Sequence, residues 1–232
     1  MILTRDKLIG TIGILLFALG SCGSVSQPSN PPTTTSAPVT ESTPAEITPE
    51  PETQPEAPET IAVSEGDIWS RLRQADTHYY VLMRHAIAPG TGDPSNFQLD
   101  DCATQRNLSQ EGIAQAQRTG DAFKENRVTV QRVLSSEWCR CLDTGTAMDV
   151  APVEPFPPLN SFFSDRSTEP EQTAAVREFM INNRDEPGVT VLITHFVNIG
   201  AIADSGVASG EIVVMQVNDQ NEPEVIETIA PF

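Results

Sequence analysis

Three short apolar runs, each ending in a polar exit, constrain this chain more than any other feature. Residues 79–83 read Tyr-Tyr-Val-Leu-Met and residues 189–194 read Val-Thr-Val-Leu-Ile-Thr, while 132–135 centres on Val133-Leu134. Runs this short fit buried strands better than helices. Helical patterns separate them. Ile68, Leu72 and Ala75 keep helical spacing over 66–76, and Ile113, Ala116, Gly120 and Phe123 do so up to residue 126. Ser109 can cap that second helix, with Glu111 in its first turn. A third helix is predicted over 138–148. A fourth runs to about 182, opened by Thr168-Glu169-Pro170-Glu171 as a capping box with proline at an early position. Residues 153–156 read as a short edge strand, and 212–217 with 225–229 as two strands joined by a turn at 219–221. Strands alternating with helices predict an α/β fold, a helix-covered sheet. The closing hairpin makes its pairing mixed.

The chain before residue 63 does not belong to that fold. Arg5 and Lys7 precede an apolar run, Leu8 to Leu19, too short to span a bilayer comfortably, and Leu19-Gly20-Ser21-Cys22 follows. This resembles a bacterial lipoprotein signal, which implies lipidation at Cys22, export, and a lipid anchor on a bacterial membrane, periplasmic or at the cell surface. Residues 23–62 hold nine of the 19 prolines, six glutamates and neither Lys nor Arg. Such a segment cannot bury enough apolar surface to offset chain entropy, so it is expected to be a disordered tether. Residues 63–232 form the folded domain. The formal charge of −18 argues against nucleic acid or an anionic lipid surface as its partner. A phosphate site here must be a local basic pocket in an acidic body.

Such a pocket is suggested at the strand exits. The first run delivers Arg84 and His85 just before the breaker Pro89-Gly90, the second leads to Arg140, and the third ends at His195. In open α/β sheets ligands bind beyond the strand carboxyl ends. A guanidinium grips phosphoryl oxygens and an imidazole can attack phosphorus. Four stretches together resemble the histidine phosphatase superfamily, which includes cofactor-dependent phosphoglycerate mutase, acid phosphatases and small phosphohistidine phosphatases. They are Leu82-Met83-Arg84-His85-Ala86, Arg106-Asn107-Leu108-Ser109-Gln110-Glu111-Gly112, Val133-Leu134-Ser135-Ser136 with Arg140, and Ile193-Thr194-His195. The resemblance implies a three-layer α/β/α sandwich with a mixed, mostly parallel sheet (phosphoglycerate mutase-like), a phosphohistidine intermediate, and neither metal nor cofactor. His85 would be the nucleophile, and Arg84, Arg140 and His195 would surround the transferring group. The substrate would be a small phosphomonoester, a related phosphoryl compound or a phosphoprotein. A mutase is disfavoured: no long insertion is present to enclose a bisphosphorylated sugar acid.

One departure concerns the general acid. Phe196 stands directly after His195, where acid phosphatase-like members carry an aspartate, and Pro158-Leu159-Asn160 offers none where mutase-like members carry a glutamate. Glu137 and Asp93 are the candidates, each with an ordinary surface or turn role as the alternative. Without an acid the site would need a good leaving group, such as that of a phosphoramidate or acyl phosphate, or would be a non-catalytic phosphate-binding lipoprotein. Arg106 either reaches the pocket or orders the long loop 86–108. Asn198 either binds substrate or caps a helix, and His78 is read as structural. Of Cys102, Cys139 and Cys141, one disulfide is expected in an oxidising compartment, Cys102–Cys139 favoured over Cys102–Cys141.

Overall fold

A computed structural model describes residues 65–232. The expected leader, the expected lipidation site Cys22 and the expected tether lie outside the described residues. Strand β1 (His78–Arg84) alternates its side chains between two cores, as a pleated strand must. Tyr79, Val81 and Met83 pack with Ile68 and Leu72 of α1 (Glu65–Gln74), Ala116 and Phe123 of α2 (Gln110–Glu125), and Cys141 and Met148 of α3 (Cys139–Met148). Tyr80 and Leu82 face the other way, with Val176 and Met180 of α4 (Glu169–Asn183) and Ile199 and Ile202 of α5 (Phe196–Ala203). Burying each such large side chain contributes about 1.5–3 kcal/mol. The result is three layers, helices on both faces of one sheet.

The sheet has six strands in the order β3-β2-β4-β1-β5-β6. β3 (Val153–Pro155), β2 (Arg132–Ser135), β4 (Gly188–Thr194) and β1 are parallel, while β5 (Ile212–Val217) and β6 (Pro223–Ile229) close it antiparallel. The fold class expected from the sequence is therefore the one observed. Register aligns Arg84 with Thr194 and Ser135 with Ile193, so β1, β2 and β4 end level with one another. Among the described residues no helix is long and apolar enough to cross a membrane.

The elements depart from the sequence reading in small ways with local causes. β1 runs one residue further than the apolar run, because the Arg84 N–H still finds the Glu211 carbonyl at 3.1 Å. α1 stops at Gln74, where Ala75 turns to a positive φ of 42°. The capping box before α4 does not form. Thr168 ends a 3-10 turn already capped by Asp165, and its hydroxyl bonds the Asp165 carbonyl and Gln172 instead. Ser109 does cap α2, accepting from Gly112 N–H at 3.0 Å. Gly112 is required there: a Cβ would lie 2.1 Å from the Ile87 carbonyl oxygen, where the loop after β1 crosses the helix start.

Candidate functional site

The level strand ends converge on one cavity of about 550 Å³. Arg84, His85, Arg140 and His195 line its floor together with Arg106. His85 is buried and its Nδ1 lies 2.8 Å from the Ala86 carbonyl. A carbonyl only accepts, so Nδ1 carries the proton and Nε2 keeps its lone pair. Burial lowers the His85 pKa to about 3; the backbone bond opposes this, and the charges of Arg140, Arg84 and Arg106 add to it. The ring is a free base at any physiological pH, with the unprotonated nitrogen that nucleophilic attack needs.

His195 is fixed in the opposite tautomer by a chain of three side chains. The Glu137 carboxylate accepts from Asn160 Nδ2 at 2.7 Å, which turns Asn160 Oδ1 toward the Glu137 N–H (2.8 Å) and the Ser136 hydroxyl (3.2 Å). Ser136 therefore donates to Asn160 and accepts from His195 Nε2–H at 2.8 Å. Nδ1 of His195 is left bare, 3.5 Å from Arg140 Nη2, a donor that cannot be anything else. Burial pushes the His195 pKa well below its ordinary value, followed by the neighbouring His85 and the charge of Arg140. The two imidazole centroids are 5.5 Å apart.

Arg140 projects from the first turn of α3 and is only 3% exposed. Its fork is held by Asp93, with Nη1–Oδ1 at 2.8 Å and Nη2–Oδ2 at 3.1 Å. Asp93 also accepts from the Arg106 N–H and from Trp138 Nε1. Burial raises its pKa, but the bonds from Arg140 and the Arg106 backbone, with Arg140's charge, outweigh this and leave it below the ordinary carboxylate range. Arg84 donates to the Val207 carbonyl at 2.9 Å, and its guanidinium sits 5.6 Å from the Phe196 ring centroid. The buried Nε atoms of Arg84 and Arg140 have no partner. Three guanidiniums, one carboxylate and two neutral imidazoles leave the floor with a net charge of about +2, matched to a phosphoryl dianion.

The loop that carries Asp93 is tied down. Cys102 and Cys139 form a disulfide that joins it to the start of α3, leaving Cys141 free, buried, and pushed up to about 12 by burial. Arg106 donates to the carbonyls of Gly92 and Ala88, and Gly90 and Gly92 take positive φ. The two readings of Arg106 hold at once: it orders the loop and it lines the floor.

With this geometry in view, comparison with solved structures gives the fold. The chain is similar to the protein of open reading frame Rv3214 from Mycobacterium tuberculosis, at 13% identity over 66% of this chain and 98% of that one, with a TM-score of 0.51. It is also similar to a candidate alpha-ribazole-5'-P phosphatase from Escherichia coli K-12, at 15% identity over 68% and 97% of the two chains, TM-score 0.50. The chain shares the fold of these two proteins. The protein histidine phosphatase SixA complexed with tungstate is similar at 15% identity over 66% and 97%, with a TM-score of 0.48. No family model and no curated protein matches the sequence.

Within this fold, three of the candidate residues have surroundings that the sequence did not show. Asp93 lines the cavity but is an ionised partner of Arg140, not a protonated acid. Glu137 does not line the cavity; it holds Asn160. Asn198 does not line it either, and the N-cap of α5 is His195. It sits buried inside α5 and donates to the Asn160 carbonyl at 2.8 Å. His78 lies at the other end of β1, bonding Thr190 Oγ1 at 3.0 Å. Sequence reasoning passed over Asn160, Trp138, Phe97 and Phe163. Asn160 is close only in space, 24 residues beyond Ser136, and the aromatics stand in loops with no periodicity to mark them. Among the described residues no group of three His, Cys, Asp or Glu side chains could hold a metal ion.

Proposed function

We propose that this chain is a histidine phosphatase that hydrolyses a phosphoryl compound through a phosphohistidine on His85, working at a membrane surface to which lipidated Cys22 and the tether hold it. One observation carries the reading: a neutral His85, its Nδ1–H fixed on the Ala86 carbonyl, stands among three guanidiniums at the cavity floor.

Nε2 of His85 attacks phosphorus in line as the bond to the leaving group breaks. Arg84, Arg106 and Arg140 stabilise the equatorial oxygens, in the manner of other phosphoryl transfers where positioned cations do most of the work. His195 takes up a proton as the dianion enters, since the anion reverses the effect of the surrounding arginines, and donates it from Nδ1 to a phosphoryl oxygen. Water then cleaves the N–P bond and releases orthophosphate.

The test is incubation of the full-length chain with radiolabelled acetyl phosphate, followed by acid quench and base treatment. An acid-labile, base-stable label that disappears in His85→Ala supports the reading. Vanadate binding without any trapped label would instead mean a non-catalytic phosphate-binding lipoprotein, a reading favoured by the lack of a protonated carboxyl among the lining residues. Neither binding nor label would overturn the phosphate site itself.

A further inference from the structure

We propose that the substrate is the phosphomonoester of an aromatic hydroxyl, a phenolic phosphate with no second negative charge; this deepens the phosphatase reading above and rests on it. Three independent features of the cavity point the same way.

The first is its wall. Phe97 stacks on Trp138 with ring centroids 5.0 Å apart and planes at 22°. Phe163 and Phe196 also line the cavity, 53% and 49% exposed. Only one other large hydrophobic among the described residues is exposed, Val225, and it belongs to β6. Exposed aromatics gathered around a phosphate-sized floor, in a cavity of small-ligand dimensions, fit a flat apolar leaving group.

The second is charge. Beyond Arg84, Arg106 and Arg140, all on the floor, no Lys or Arg lines the cavity, and the other polar groups near its mouth are Thr91, Ser161, Ser164 and Asp165. A carboxylate or second phosphate on the substrate would meet Asp165 without a cation to receive it. Phosphorylated sugar acids and bisphosphates are disfavoured.

The third is proton supply. The two carboxylates that line the cavity, Asp93 and Asp165, both have pKa values below the ordinary range: in Asp93 hydrogen bonds and Arg140 overcome the effect of burial, and in Asp165 bonds from Ser167 hold it down. Neither can protonate a departing oxygen. His195, once protonated by the incoming dianion, gives its Nδ1–H to a non-bridging phosphoryl oxygen beside Arg140, so as the His85 Nε2–P bond forms and the P–O bond breaks the electron pair leaves on the ester oxygen as an anion. A phenolate, whose conjugate acid has a pKa near 10, can do this; a simple alkoxide is a far worse leaving group. Water then splits the N–P bond, and its proton neutralises the phenolate in solution.

Binding of non-hydrolysable phosphonates to the full-length chain tests the recognition step apart from turnover. Phenylphosphonate is expected to bind at least about ten-fold tighter than ethylphosphonate, and phosphonoacetate more weakly than either. Phe163→Ala should bring the phenyl-to-ethyl ratio toward one, and Asp165→Lys should reverse the disadvantage of phosphonoacetate. Equal affinity for phenyl- and ethylphosphonate, or tightest binding of phosphonoacetate, would overturn the proposal. Phosphoenzyme from acetyl phosphate without ring preference sinks this inference alone, whereas ring preference without phosphoenzyme sinks the phosphatase and leaves an aryl-phosphate binding site. Cleavage of phenyl phosphate compared with a phosphotyrosyl peptide tells a free metabolite from a protein side chain, and cleavage of either supports the substrate chemistry.

Discussion

The exits of β1 and β4 are neighbours in the sheet and nearly the same in sequence, an apolar strand running into a histidine, yet the structure prepares their two imidazoles for opposite tasks. His85 gives its Nδ1–H to the adjacent carbonyl, a bond that depends on almost nothing else in the molecule. His195 gives its Nε2–H to Ser136, whose orientation depends on Asn160 and through it on Glu137. The first arrangement leaves Nε2 free for attack. The second leaves Nδ1 beside Arg140, where it can meet a phosphoryl oxygen. The lesson is that identical strand–histidine patterns acquire different chemistry from the hydrogen bond made by the nitrogen that does not face the ligand.

The largest expected effect tests that division. If His85 alone is the nucleophile, His85→Ala should lower kcat by about 10⁴-fold or more and abolish the trapped phosphoenzyme, since the group acts as a unit. His195→Ala should cost less, about 10²- to 10³-fold in kcat, as expected for losing one transition-state donor. In that variant single-turnover quench should still detect label on His85. A label that vanished equally in both variants would break the distinction drawn between the two exits.

Much of this was legible in the sequence, and the boundary between legible and hidden has a physical basis. Strand exits are legible because a buried strand has an apolar run and the run must stop. That alone places Arg84, His85 and His195 at the exits, and the alternation with helices gives a helix-covered sheet, while the roles of these residues and the three-layer architecture came from the resemblance. What carried no sequence signal was the partner of each polar side chain. Asp93 could be read as an acid because its ion pair with Arg140 spans 47 residues and is made by a loop without periodicity. Glu137 is close to Arg140 along the chain, yet Asn160 turns its carboxylate to a supporting task. Asn198 carries an amide suited to substrate, but α5 buries it against the 156–160 segment. The disulfide was legible in outline: an expected oxidising compartment pointed to Cys102 with one of two partners, Cys139 favoured over Cys141, and Cys102–Cys139 is the pair that forms. The choice is settled by Cys141, whose thiol points to the Thr194 carbonyl and His195 rather than to the loop.

Ser136→Ala sharpens the comparison at the next level. It removes the acceptor for His195 Nε2–H without touching either imidazole or any arginine. With Ser136 gone, Cys141 Sγ at 3.5 Å still faces His195 Nε2, so the Nε2–H tautomer is less strongly favoured and a fraction of the molecules presents a protonated Nδ1 to Arg140 before ligand arrives. A loss of about ten-fold in kcat is expected, with KM nearly unchanged and the pH profile of kcat displaced. Because Ser136 is a positioning residue, Ser136→Thr, which keeps the hydroxyl, should recover part of the loss. A fall in KM-related binding with an unaltered pH profile would mean that Ser136 only packs.

The smallest effect is on stability, and it concerns what the two exits share. Both histidines are held neutral by burial among arginines, with pKa values below those of the unfolded chain. The unfolded chain therefore binds protons that the native state refuses once the pH falls below about 6.5. Stability is full above that pH and declines as the pH falls, with a slope approaching about 1.4 kcal/mol per pH unit for each histidine. For His85 the decline continues toward pH 3, its native value. Asp93, whose native pKa is also lowered, adds its own loss only further down, as the pH passes below the unfolded carboxylate value near 4. Urea midpoints between pH 7.5 and 5 isolate the histidine window. His85→Gln, which cannot titrate, should flatten the slope by one proton, and saturating vanadate should flatten it too, because an anion on the floor lets the native histidines take up the protons they otherwise refuse. An unchanged slope in His85→Gln would show that His85 is not held neutral, and with it the free Nε2 on which its role as nucleophile depends would be lost.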